Sequence, residues 1–273
     1  MVRSMRSWVL NYLVHSELAR GIAQAATVAV FVLLTAWFAA QRGAASIGEI
    51  FVAVTRAIVQ ILVVGLLLVI LMKTPWWTAI PVLAGMIVAA ATIAAKRAPE
   101  VPRTFQITLI CICAGAGTTI LVMTTLGIID KQMRMLLPVG SMIIANTMNI
   151  AALYLNRFVG EIRSHIGELE SAIALGAAGD TAALPYSRAA FRASLIPATD
   201  NLRSLGIVWI PGIMAGMVLS GSSPLYAALY QFVVLGMIFI SGSITSITAS
   251  QLLPRNIFNA REQLLIRDAV EEQ

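Results

Sequence analysis

Long apolar runs and short polar connections alternate along almost the whole chain. Most runs approach or exceed about 20 residues, the length that crosses the hydrocarbon core of a bilayer as a helix. A shorter run, residues 205–220, is interrupted by Pro211-Gly212, and we expect it to form a broken or tilted span. The pattern predicts seven transmembrane helices: residues 21–40, residues 50–72, the run from Pro75-Trp-Trp77 to Ala95, and residues 106–127, 136–155, 205–220 and 226–253.

One long polar segment, residues 156–204, separates the fifth and sixth predicted spans. Charges are expensive inside a bilayer, so we expect the whole segment to lie on one membrane face. The helical spacing of its centre, Glu168 to Gly176, indicates a docking element rather than a slack tether. The segment contains five arginines: Arg157, Arg163, Arg188, Arg192 and Arg203.

Composition supports the same interpretation. Apolar residues make up 59% of the 273 residues and charged residues 12%, about half the charged fraction of a soluble domain. We therefore predict an all-α polytopic membrane protein in one domain, residues 1–273, with an N-terminal tail (1–20), a cytoplasmic coupling loop (156–204) and a cytoplasmic tail (254–273). The net charge of +6 then reports on topology rather than on nucleic-acid binding.

The distribution of basic residues orients the chain. With the C-terminus inside, only six of the nineteen lysines and arginines lie outside, as the positive-inside rule requires. We expect the protein in the inner (plasma) membrane of the cell, surrounded by lipid. The arginines near the N-terminus disagree with this distribution and leave the side of that end open.

A few polar residues fall inside the predicted spans. Arg56 and Gln60 lie one helical turn apart in the second span, where Arg56 either snorkels to the interface or faces a pathway or another span. Asn146 and Asn149 share one face of the fifth span; interhelical hydrogen bonds are the first interpretation and substrate contact the second.

Sequence signals for catalysis are weak. The Gly-rich phosphate-binding motif of ATPases is not present, and the two histidines, His15 and His165, are isolated. Cys111 and Cys113 would lie roughly 200° apart on a helix, so they cannot chelate one ion together. No metal ligand is assigned, and any driven transport would depend on another subunit.

The docking segment carries a family resemblance. Glu170-Ser-Ala-Ile-Ala-Leu-Gly176 approximates the Glu-Ala-Ala-x-x-x-Gly signature of ABC-transporter permeases. Further matching residues lie in the same order along the chain: Arg56, Gln60, Gly65, the segment 188–197, Asp200, Gly206, the segment 211–216, Gly221, Pro224 and Tyr230-Gln231. The chain resembles the FetB-type permeases, described as iron exporters and including plant permeases linked to aluminium tolerance.

This resemblance implies a half-transporter that is not itself an enzyme. Two copies of the permease would pair with two copies of an ABC ATPase subunit, which binds ATP and Mg²⁺, while this chain holds no cofactor. Docking would use Glu168, Glu170, Ala174 and Gly176. The favoured substrate is iron or another metal, exported.

The resemblance also has a departure. The family segment usually reads Pro-Gly-Met-Met, whereas Ile213 precedes Met214 here, which weakens the case for a sulfur ligand. Met214 therefore stays a candidate pathway residue, with core or lipid packing as the alternative. A self-contained secondary carrier or channel is the alternative function, and a membrane scaffold is a third.

Overall fold

The computed structural model describes residues 2–41, 47–259 and 263–266. Contacts divide the chain into two units, residues 1–73 and 74–273. A 3₁₀ turn precedes the third α-helix, and a five-residue π-helical turn joins the fourth and fifth. The α-helices are α1 (Val2–Gln41), α2 (Ile47–Leu71), α3 (Ala79–Ala95), α4 (Thr104–Ile112), α5 (Thr118–Thr125), α6 (Met133–Ser164), α7 (Ile166–Ala174), α8 (Gly179–Ala182), α9 (Leu184–Ser204), α10 (Gly212–Leu219) and α11 (Pro224–Asn256).

The first unit consists of α1 and α2, which contact each other. Each contains a stretch long and apolar enough to cross a membrane, Ala19–Phe38 and Ile50–Leu71. Most of the large apolar side chains between residue 19 of α1 and the end of α2, where the structure describes them, are exposed, as a lipid-facing surface requires. Helix α1 begins at Val2 and continues into the span without a break, so residues 2–20 of the predicted tail are helical, and their position outside the membrane stays a prediction.

The second unit is organised around α6 and α11, which run side by side in the same direction. At one end, the Tyr230 hydroxyl lies 3.9 Å from the Met135 sulfur. In the middle, Gly242 faces the side chain of Ile150 so closely that a Cβ would not fit. At the other end, the last turns of both helices share one buried cluster. Two parallel neighbours in a membrane require the chain between them to return across it.

Helices α9 and α10 make that return. The Ser187 hydroxyl, at the start of α9, lies 3.5 Å from the Ser250 carbonyl near the end of α11. Helix α10 ends at Leu219, only a four-residue turn before α11 begins. The chain from residue 184 to residue 223 therefore travels most of the length of α11, and it does so as two helices separated by residues 205–211.

Two predictions change as a result. Residues 156–204 are not one loop, because α6 continues to Ser164, α7, α8 and α9 follow, and α9 packs along α6 and α11. The sixth predicted span is helical only over Gly212–Leu219, so the expected break is present but α9 supplies the rest of the crossing. By length and composition, six of the described helical stretches qualify as spans; α9 does not, because one of its faces is charged.

The buried cluster at the end of α6 and α11, called here the end cluster, also includes the chain after α11. Leu265 donates a backbone hydrogen bond to Ile257, and Ile266 is fully buried. The predicted cytoplasmic tail of residues 254–273 is therefore partly packed core as far as residue 266, while residues 260–262 and 267–273 lie outside the described part. The members of the end cluster include Ala98, Val101, Tyr154, Phe158, Ile162, Leu169, Leu253, Ile257 and Ile266.

A π-helical turn, Cys113–Gly117, joins α4 to α5 against α11. A Cβ on Gly115 would collide with the Thr245 hydroxyl and the Ser241 carbonyl, and backbone cannot easily move away. Small residues permit this kind of close helix approach in membranes.

We expect Gly115→Ala to destabilise the second unit by about 1–3 kcal/mol, the usual cost of overpacking. Gly117→Ala is the matched control, because Gly117 lies in the same turn with open space around it. Thermal unfolding of the two purified variants measures the difference. Equal stability of both variants would contradict the close contact with α11.

Candidate functional site

The predicted docking segment forms α7, Ile166–Ala174. Gly176 follows with φ +95°. Its N–H donates to Ile173 O at 2.9 Å, and the Ala177 N–H donates to Ala172 O at 3.0 Å. This is the Schellman arrangement that glycine supports after a helix. Gly176 therefore ends α7 in the left-handed conformation.

Helix α7 has two different faces. Leu169 is 1% exposed and lies in the end cluster. The opposite side carries the exposed residues Glu170 and Ala174, which lie one helical turn apart. Leu175 directly after the helix is 90% exposed. The sequence analysis missed Leu175, although an apolar residue just before a capping glycine was a visible signal.

Side-chain contacts fix α7 to its neighbours. The Tyr186 hydroxyl on α9 donates to Glu168 at 3.2 Å, and the Tyr186 ring stacks on His165 at 5.1 Å between centroids. Arg163, at the end of α6, donates to Glu100 before α4 at 2.7 Å. Glu168 therefore lies at the junction of α7 with α9, so its most evident contribution is to hold α7 in position.

Helix α9 also has two faces. Small buried residues on one face contact α6 and α11: the Ser187 and Tyr154 hydroxyls lie 2.7 Å apart, and so do the Ser194 and Ser246 hydroxyls. The other face is exposed and charged, and it includes Arg188, Arg192, Asp200 and Arg203. Such a helix can lie within a bundle while it presents charge to an aqueous path or to another protein.

The break after α9 is compact. Gly206 has φ +75°, and its N–H donates to Trp209 O at 3.2 Å. The Trp209 indole N–H donates to the Ser204 hydroxyl at 3.1 Å. Arg203 pairs with Asp200 at 3.8 Å one turn earlier. A non-helical break in a crossing, with a charge pair beside it, has the features of transporter binding regions.

The other predicted pathway residues of the second unit lie on α6 and α10. Asn149 is exposed, and the half-buried Asn146 donates to the Met142 carbonyl of its own helix at 2.9 Å. Met214 is half-buried in the first turn of α10. The hydrogen bond of Asn146 is thus within its helix rather than between helices, and a pathway role for the three residues stays a prediction.

Arg56 and Gln60 belong to the first unit. Both are exposed on α2, and with Phe51, Val52, Thr55 and Val59 they line a groove of about 360 Å³. The two polar groups do share one face, as the spacing predicts. Whether that face contacts a pathway stays a prediction. Within residues 2–41, 47–259 and 263–266, no three His, Cys, Asp or Glu side chains are grouped to hold a metal ion.

These features define an all-α polytopic membrane protein with a short exposed helix at one end and a broken crossing. The model of an uncharacterised protein family, UPF0014, matches residues 22–258, and the chain belongs to that family. No solved structure is significantly similar to it.

Named relatives share most of their length with this chain. The UPF0014 membrane protein slr1647 of Synechocystis is 33% identical over 80% of this chain and 86% of its own. The protein named "Probable iron export permease protein FetB" of Escherichia coli is 30% identical, covering 80% and 85%. Protein ALUMINUM SENSITIVE 3 of Arabidopsis thaliana is 28% identical, covering 94% and 92%.

A substitution at Asn149 separates a pathway role from a packing role. We expect Asn149→Leu to lower transport several-fold while thermal stability is unchanged or higher, because an exposed amide in a span is costly in lipid. Asn149→Gln, which keeps the amide, should retain more transport. Flux in vesicles and thermal unfolding measure the two effects. Normal flux with reduced stability would instead assign Asn149 to helix packing.

Proposed function

We propose that this chain is the permease subunit of an ABC transporter, driven by ATP that a separate ATPase subunit hydrolyses. The observation that carries the proposal is the construction of α7. One face is buried in the end cluster, while the exposed side and Leu175 project from the bundle. A short helix of this kind suits insertion into a cleft of a partner.

Movement of α7 would reach the membrane part directly. Leu169 packs in the end cluster beside the last turns of α6 and α11, and Glu168 binds Tyr186 on α9. A displacement imposed on α7 is then shared with three long helices, because close-packed cores transmit strain. Helix α9 would carry it to the break at residues 205–211.

The proposed partners are those that the family resemblance implies. The ATPase supplies ATP and Mg²⁺ chemistry, and this chain supplies the docking helix and the crossing. Two permease copies with two ATPases would form the complex in the inner membrane. The substrate class, iron or another metal moved outward, rests on the name of the Escherichia coli relative.

One observation favours a second function. Broken crossings are a recurring feature of secondary transporters, in which the break contributes to the substrate site. A self-contained carrier would move its substrate without an ATPase. Flux measured in vesicles with and without the ATPase separates the two functions, and gradient-driven flux from the permease alone would favour the carrier.

Leu175→Ala tests docking directly. If Leu175 is buried in the ATPase, the loss of its side chain removes about 1.5–3 kcal/mol of apolar burial, so ATPase affinity should fall roughly 10- to 100-fold. Leu219→Ala is the matched control, since Leu219 is 89% exposed at the opposite end of the bundle. Co-purification and permease-stimulated ATP hydrolysis are measured for both. Equal affinity in the two variants would contradict docking through α7.

Gly176→Val tests the helix cap. Valine at φ +95° is strained, so the end of α7 must rearrange. We expect ATPase recruitment and stimulated hydrolysis to fall while the amount of permease in the membrane stays normal. Gly160→Val adds the same atoms at a helical position with open surroundings and should have little effect. An intact complex with normal hydrolysis from Gly176→Val would reject the docking helix.

A further inference from the structure

The charges on the exposed face of α9 are unbalanced. Asp200 and Arg203 pair with each other at 3.8 Å. Arg188 and Arg192, one helical turn apart, are both exposed, and no carboxylate of the described residues lies within ion-pair distance of either. The face therefore has an excess of two positive charges in each copy of the chain.

The positions of these arginines along the bundle are known from the other face of the same helix. Ser187 is anchored at Tyr154, a member of the end cluster, and Ser194 at Ser246 on α11. Arg188 and Arg192 lie between those two anchors in sequence. They are thus held on the part of α9 that adjoins the end cluster, where α7 also packs, and α9 runs from there to the break at residues 205–211.

A pair of guanidinium groups with this spacing suits an anion. Cβ atoms at positions i and i+4 of a helix are about 5–6 Å apart, so the two groups can bind oxygens of the same ligand. Guanidinium donors match carboxylate and phosphate oxygens in geometry and remain charged at any physiological pH. A bare metal cation would be repelled by the same pair.

We propose that Arg188 and Arg192 bind the transported species, and that this species carries a net negative charge. The inference rests on the proposed transport function and refines it: a metal ion would cross as an anionic complex with carboxylate or phosphate ligands, not as the free cation. Beyond the exposed Ile196 and Pro197, Asp200 and Arg203 carry further charges on the same helix before the break at residues 205–211.

Lipid phosphate is the competing occupant, and the shape of the charged row favours a soluble anion. Arg203 lies about 22 Å along the helix axis from Arg188 at 1.5 Å per residue. A headgroup contact would require basic residues only at the membrane boundary. Charges that continue toward a break in the crossing are expected for a solute path.

Direct binding tests the proposal without the ATPase. The full-length permease is placed in phosphatidylcholine nanodiscs, and retention of iron(III) citrate, citrate alone and anaerobic iron(II) is measured. We expect iron(III) citrate to bind and iron(II) not to bind. Arg192→Gln should weaken binding about tenfold or more, and Arg192→Lys should fall between. Arg157→Gln is the charge-matched control, since Arg157 is paired with Glu161 at 2.8 Å on α6, and it should bind normally.

Several outcomes would overturn the proposal. One is iron(II) binding that Arg192→Gln leaves unchanged or strengthens. Another is that neither iron(III) citrate nor citrate binds, while Arg192→Gln lowers the amount of phosphatidylglycerol that the protein retains. That result would assign the pair to lipid. If the unsubstituted permease recruits and stimulates its ATPase but binds neither anion, this inference alone is rejected. Anion binding without recruitment rejects the ABC function alone.

Discussion

The parallel packing of α6 and α11 is the constraint on which the second unit depends. Contacts at Met135, at Ile150 and in the end cluster keep the two helices side by side over their length. Because both run in one direction, the chain between them has to cross the membrane in the other. That crossing is made by α9 and α10, so a helix with a charged face enters the bundle where an apolar span would be the simpler solution.

The same arrangement joins the proposed docking helix to the proposed solute path. Helix α7 is bound on one side to the end cluster and, through Glu168 and Tyr186, to the start of α9. Helix α9 leads from that point to the break at Gly206. A force applied at α7 thus reaches the break through one continuous helix of 21 residues, which has Pro197 in its interior.

Much of this fold could be predicted from the sequence, because spans such as residues 50–72 are recognisable from the length of the apolar run alone. The glycine cap at Gly176 was also predictable from local chemistry. Helix α9 was not, since averaging over its charged face hides the small residues Ser187, Ala190, Ser194 and Ala198 that pack on the other face. Burial of Ile266 depends on partners far away in sequence. The pathway and docking residues remain predictions because their partners lie outside this chain.

Site-directed thiol labelling tests the crossing by α9 and α10 most directly. Single cysteines are introduced at Asp180 and Ser222, at the two ends of the crossing, in a chain whose Cys111 and Cys113 are replaced by serine. The account predicts that a membrane-impermeant reagent modifies position 180 from one side of the membrane only and position 222 from the other side only. Modification of both positions from the same side would contradict the crossing, and with it the charged path along α9.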